Sequence, residues 1–304
     1  MIKQLTIVDI RDKMLAELSG VVRASENTLQ AYNRDINEFI TFCSEKEIHT
    51  ISKITVKTIR YFIIKLNDQK LTKSTISRKL SSLRRLFFFA VQNDIIEINP
   101  LAKIPNPKVI RKLPETINLD SYMKIYSFVR KENNYNEAIK IISIFELLYG
   151  CALRVSELCS LNITDIDFYS MSIRIFGKGA KIRIVPLGSK SAEVLKEFIK
   201  TQFQKNKNQP LFTNEFNERL DRHHIYKIVN KYLSSVTNIA KRSPHILRHS
   251  AATHMLDDNA DLMAVKEILG HENLSTTQIY THVSIERLKQ AYKKAHPKSE
   301  KEPV

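Results

Sequence analysis

Apolar residues recur at helical spacing along almost the whole chain and switch to strict alternation in one short stretch. The fold is thereby confined to helices around a single small β element. Behind the capping sequence Ser25-Glu26-Asn27, one stripe is formed by Leu29, Tyr32, Ile36, Phe39, Ile40 and Cys43. Val56, Ile59, Ile63 and Leu66 form a second stripe, and Ile76, Leu80, Leu83, Phe87 and Ala90 a third. Residues 172–176 and 181–185 alternate polar and apolar side chains, joined by Gly177-Lys178-Gly179-Ala180. That pattern predicts a β hairpin with Lys178 at its turn. Helical spacing returns at 190–205, 222–235, 245–257, 261–269 and 284–295. Residues 99–114 hold Pro100, Pro105, Pro107 and Pro114. Proline removes backbone donors and disfavours helix before it, so this stretch is expected to be extended. The expected fold is mainly α in two domains: a helical one at 1–105, a linker at 106–114, and a second at 115–304 with helices and a small β-sheet or hairpin.

Charge narrows the function. The 304 residues include 48 Lys+Arg and 32 Asp+Glu, a formal charge of +16. Both halves are net positive, and the proline-rich stretch adds Lys103, Lys108, Arg111 and Lys112. Clustered cations gain free energy by releasing counterions from phosphates, so two basic domains on a basic tether are expected to clamp double-stranded DNA. Between 69 and 93, Lys70, Lys73, Arg78, Lys79, Arg84 and Arg85 occur without a single acid. A solvated helix ordinarily mixes signs, and a face of one sign repels itself unless something negative lies against it. Arg78, Arg84 and Arg85 are accordingly expected to meet DNA phosphates. The first twenty residues are charged throughout, and no apolar run approaches the ~20 residues that span a bilayer. A cytoplasmic, nucleoid-associated protein without membrane contact is expected. Cys43, Cys151 and Cys159 form neither a disulfide framework nor a zinc ligand set.

Four segments carry chemistry: Leu153-Arg154-Val155-Ser156-Glu157-Leu158, Gly177-Lys178-Gly179, His245-Ile246-Leu247-Arg248-His249, and Leu269-Gly270-His271 followed by Tyr280. Singly they say little. Lys178 could be a solvated turn and Tyr280 an amphipathic residue of no special role. The nucleoside-triphosphate loop G-x-x-x-x-G-K-[ST] is absent. His245 and His249 stand four apart as zinc ligands can, but Ile246 replaces the glutamate of H-E-x-x-H, and Arg248 would set a cation beside the metal. His249 is read as a buried, hydrogen-bonded neighbour outside the reactive set. Taken in order, and with the longer stretches HILRHSAATHML and LGHENLSTTQIYTH, the segments make the chain resemble the tyrosine recombinases of the phage integrase family, most of all those of Xer type. The resemblance covers nearly the whole chain.

It implies a core-binding N-terminal domain, a catalytic C-terminal domain and a definite chemistry. Tyr280 would attack a DNA phosphodiester, leaving a 3′-phosphotyrosyl link and a free 5′ hydroxyl; the bond energy stays in the link, so another strand can reverse the step. Arg154 and Arg248 would hold the nonbridging oxygens and stabilise the transition state in place of a metal. Lys178 resembles the general acid for the departing 5′ oxygen. His245 stands where the family handles protons near the nucleophile, and His271 where a histidine hydrogen-bonds the phosphate. Glu157 matches an acid that orients the site. A tyrosine hydroxyl titrates near 10, so its proton must leave during attack, and the residue types assign no acceptor for it. Neither metal nor nucleotide cofactor is implied.

Asp221 can cap a helix starting at Arg222, which sets Arg222 and His223 in its first turn. In the family these positions contact the DNA groove, and arginine can pair bidentately with guanine. Asn217 stands where relatives usually place glycine; asparagine tolerates a left-handed backbone. The terminal helix 284–295 presents Ile285, Leu288, Ala291 and Tyr292 on one stripe. It is expected to dock onto the next protomer, closing a homo- or hetero-tetramer on paired DNA sites. The implied role is chromosome-dimer resolution, under a division-associated DNA translocase. A mobile-element integrase is expected to need an additional arm-binding domain, for which no room precedes residue 25. A type IB topoisomerase shares the chemistry without pairing sites. A DNA-binding relative without catalysis fits poorly with six reactive positions all present.

Overall fold

A computed structural model describes residues 5–108, 115–176, 182–202, 209–270, 291–292 and 295–296. The chain divides into two compact units, Met1–Lys112 and Leu113–Val304.

The first unit holds helices α1 (Ile7–Gly20), α2 (Glu26–Ser44), α3 (Val56–Asp68) and α4 (Lys73–Gln92). The side chains of Thr6, Ser25, Thr55 and Thr72 each accept from a backbone N–H of the first turn they precede. Each removes one of the donors a helix start leaves unpaired. The three expected stripes face inward around Phe39, Phe62 and Phe87, apart from Val56, which is exposed at the start of α3; the Phe39 and Phe62 rings meet edge-on with centroids 5.0 Å apart. α1 adds Ile10 and Met14 to the same core. The proline-rich stretch departs from expectation at its start. Ala102 N–H donates to the Asn99 carbonyl, Ile104 N–H donates to the Leu101 carbonyl, and Leu101 is buried in this core. A buried leucine thus folds 99–104 into a turn of the first unit; residues 109–114 lie outside the described residues.

The second unit begins with α5 (Leu119–Glu132) and α6 (Tyr135–Phe145), which widens into a π-helical turn at Glu146–Gly150. α7 (Val155–Ser160) follows, then strands β1 (Ile166–Asp167), β2 (Ser172–Phe176) and β3 (Ile182–Pro186). Helices α8 (Ser189–Thr201), α9 (Arg222–Val236), α10 (Pro244–Asp257) and α11 (Leu262–Leu269) complete the described elements. The sheet is antiparallel in the order β1-β2-β3, so the expected hairpin exists with one further short strand beside it. Every residue of the π turn is buried. Gly150 has no room for a side chain: a Cβ there would lie 2.6 Å from Ser191 Oγ and 2.8 Å from Glu146 Oε2.

Two features bear on the site. In β3 the alternation runs opposite to hydropathy. Ile175 pairs with Arg183 and Ile173 with Val185, which puts Arg183 on the inner face, while Phe176, Ile182 and Ile184 are exposed on the outer one. The second feature is the chain's end. Tyr292 is buried and its hydroxyl donates to the Gly150 carbonyl at 2.7 Å; the fully buried His296 ring stacks on it with centroids 4.6 Å apart. Tyr292 and His296 thus pack within the core of their own chain, while most of the expected docking helix lies outside the described residues. Residues 284–290 lie outside the described set.

Candidate active site

Two residues beyond the π turn the backbone is unusual. Ala152 has φ +51°, left-handed without being glycine. Such conformations persist where the surroundings over-determine them. Here the Ala152 carbonyl accepts from Arg248 Nη1 at 2.7 Å. Two residues on, Arg154 is the N-cap residue of α7, with its backbone N–H donating to Glu157 Oε2 at 2.8 Å. The same carboxylate takes Arg154 Nη1 at 2.7 Å. Arg154 Nη2 donates to the Gly270 carbonyl at 2.7 Å, and Arg248 Nη2 donates to the Leu269 carbonyl. Two guanidiniums far apart in sequence therefore grip consecutive carbonyls at the C-terminal end of α11.

Glu157 binds the pair together. Its side chain is only 5% exposed; Arg248 Nη1 lies 3.8 Å away, and Arg183 reaches it from β3 with Nη1 at 2.6 Å and Nη2 at 2.8 Å. Burial pushes the Glu157 carboxyl up, but hydrogen bonds and charge from Arg183, with the Arg154 N–H and guanidinium, more than offset this and hold it below its ordinary range. Burial lowers Arg248 to about 10, helped by the like charges of Arg154 and Arg183 and opposed by Glu157. Arg248 thus remains a cation at neutral pH. Gly270 closes the corner at φ +59°, where a Cβ would also lie 3.0 Å from Arg183 Cδ and Nε. Only glycine meets both demands without strain.

Of the expected reactive residues, the structure brings Arg154 and Arg248 together through Glu157. His245 is exposed in the first turn of α10, three positions before Arg248. His249 is half-buried, not buried as expected, because it falls between the inward Leu247-Arg248 pair and Ser250. Lys178, His271 and Tyr280 lie outside the described residues. Arg183 escaped the sequence reading: its alternating strand makes it look solvent-facing, and nothing in its spacing links it to Glu157. Among the described residues no group of three or more His, Cys, Asp or Glu could hold a metal ion.

Arg222 and His223 are exposed in the first turn of α9, and Asp221 caps that helix, its Oδ1 accepting from His224 N–H at 2.8 Å. Asn217 adopts φ +60°, the left-handed turn expected of it. The acid-free face of α4 needs correction. Arg78 pairs with Asp35 and Lys79 with Glu38, both acids on α2; Arg85 meets Glu17 of α1 at 3.1 Å. Arg84 donates to Asn106 Oδ1 and the Ile104 carbonyl. The acid partners of Arg78, Lys79 and Arg85 come from neighbouring helices, which a reading confined to 69–93 could not supply. For Arg78 and Arg85 the charge is answered within the chain, so an acid-free stretch does not by itself demand phosphate there.

Comparison with known proteins places this arrangement. Residues 115–287 match the model of the phage integrase family, and residues 12–94 that of the phage integrase N-terminal SAM-like domain. The tyrosine recombinase XerC of Pelobacter propionicus is 37% identical over 277 residues, covering 90% of this chain and 91% of the relative. The tyrosine recombinase XerD of Oceanobacillus iheyensis is 38% identical over 282 residues, covering 90% of this chain and 94% of the relative. The fold resembles that of the XerH site-specific recombinase in a post-cleavage complex with palindromic difH substrate, with a TM-score of 0.69 at 24% identity over 94% of this chain and 83% of the other. Both units match, and relatives align over nine-tenths of the length: the chain belongs to the phage integrase family of tyrosine recombinases.

Proposed function

We propose that this protein is a site-specific recombinase that cuts and rejoins double-stranded DNA through a 3′-phosphotyrosyl link at Tyr280. The observation that carries the reading is the convergence of Arg154 and Arg248 on the buried Glu157 carboxylate. Three guanidiniums against one carboxylate leave a net positive pocket, suited to a phosphodiester gaining charge as it is attacked. Arg154 and Arg248 bind the nonbridging oxygens. His245, one helical turn before Arg248, and His271 handle protons and hydrogen-bond the phosphate. Lys178 protonates the departing 5′ oxygen. The positive charge is supplied by side chains, so neither metal nor nucleotide is required. Arg222 and His223 at the start of α9 read the DNA groove, while Arg78 and Arg85, beside their acid partners, and Arg84 contribute positive potential.

The similarity to proteins named XerC and XerD supports an Xer-type role: resolution of chromosome dimers in the cytoplasm, in association with the nucleoid. The working unit is a homo- or hetero-tetramer on paired sites, activated by a division-associated DNA translocase. No helix among the described residues is long and apolar enough to cross a membrane.

The test is a suicide substrate nicked beside the cleavage site, its sequence taken from genomic mapping of covalent protein–DNA adducts. The parent protein is expected to become covalently attached to DNA, and Tyr280→Phe to lose the adduct while still binding the site. Attachment that survives in Tyr280→Phe, or cleavage that leaves no attached protein, ends the reading.

A further inference from the structure

Arg183 makes both of its terminal nitrogens over to Glu157, at 2.6 and 2.8 Å. It is 17% exposed in its side chain, and its Nε has no hydrogen-bond partner among the described residues. To reach the carboxylate, β3 leaves Ile182 and Ile184 exposed on the outer face of the sheet. That placement is costly for a surface ion pair and makes sense if the contact serves the site.

We infer that Arg183 is a positioning residue for the reaction: by neutralising Glu157 it keeps the carboxylate from competing with the phosphodiester for Arg154 and Arg248. The inference rests on the function proposed above. Glu157 has two oxygens and three guanidinium neighbours. With Arg183 present, its charge is largely answered from β3, and the Arg154–Arg248 pair retains an excess of positive charge for substrate. Without Arg183, the same carboxylate draws on Arg154 at 2.7 Å and on Arg248 at 3.8 Å, and the pocket loses its excess. Arg183 also packs where a Gly270 Cβ would sit, so it sets the position of the carbonyl that Arg154 grips. β3 is the strand that follows Lys178, so this one contact registers the hairpin against both arginines.

The charge argument separates this role from scaffolding. In Arg183→Met, adduct formation on the suicide substrate is expected to slow by roughly tenfold or more, less than the loss from removing a donor that touches the transition state, while half-site affinity stays within about twofold. Arg183→Lys, which keeps the charge and loses the two-pronged grip, falls between. The double variant Arg183→Met/Glu157→Gln should recover part of the rate, because the competing carboxylate is gone; a purely structural role predicts no recovery. Inorganic phosphate supplies a readout independent of Tyr280. Its stabilisation of the protein over chloride at equal ionic strength should shrink in Arg183→Met and return in the double variant. Unchanged rate and unchanged phosphate stabilisation in Arg183→Met, or a double variant no better than Arg183→Met in both, overturns the inference. A parent protein that forms no adduct overturns the proposed function instead, and the phosphate measurement still judges Arg183.

Discussion

Glu157 ties Arg154 and Arg183 together in its ionised form, and its surroundings keep it ionised. Burial raises its carboxyl, yet Arg183 and Arg154 hold it below the ordinary value of 4.5. A carboxylate depressed on folding adds stability above its unfolded pKa and loses it as pH falls through the lower folded one. Thermal melts of the parent are therefore expected to fall away below about pH 4.5, from the unfolded value downward through the lower folded one. Glu157→Gln should flatten that part of the acid limb and cost about 3 kcal/mol at neutral pH, as breaking a buried pair does. An acid limb identical in both proteins would place the titration elsewhere. At this scale the sequence was readable where residue type and chemistry coincide. Arg154, Arg248 and the orienting Glu157 were named from their motifs. Arg183 was not, because a long cation in an alternating strand carries no mark of which face it occupies.

Secondary-structure starts were among the most legible features, since a capping side chain sits in sequence next to the donor it satisfies. Asp221 before α9 and Ser25 before α2 were both readable, and both accept from the expected first turn. Less legible were elements decided by distant neighbours. The turn at 99–104 folds because Leu101 finds the first core, and the cations of α4 find Asp35, Glu38 and Glu17 across helices. The start of α9 yields its own test. Arg222 is exposed there, in the first turn. Arg222→Ala is expected to weaken binding to the cognate half-site by about tenfold, the scale of one bidentate base contact. Binding to scrambled DNA should change little, since phosphate contacts dominate there. Competition titrations check this; equal losses on both sequences would show that Arg222 touches backbone only.

Each unit of the molecule has its own apolar core, and the second closes over its own terminal segment through Tyr292 and His296. The mostly helical plan was legible from periodicity, and the division into two units from the proline-rich stretch between them. The packing of Tyr292 and His296 within their own chain was not, because an apolar stripe states that it will be covered without stating by whom. The sheet carries a last consequence, one for handling the protein in a tube. Turning Arg183 inward leaves Phe176, Ile182 and Ile184 as a greasy outer ridge, 50%, 58% and 46% exposed. Such ridges promote self-association at high concentration. Threonine keeps the β-branch and sheds the grease, so Ile182→Thr/Ile184→Thr should remain monodisperse by light scattering at concentrations where the parent clouds, with its melting temperature nearly unmoved.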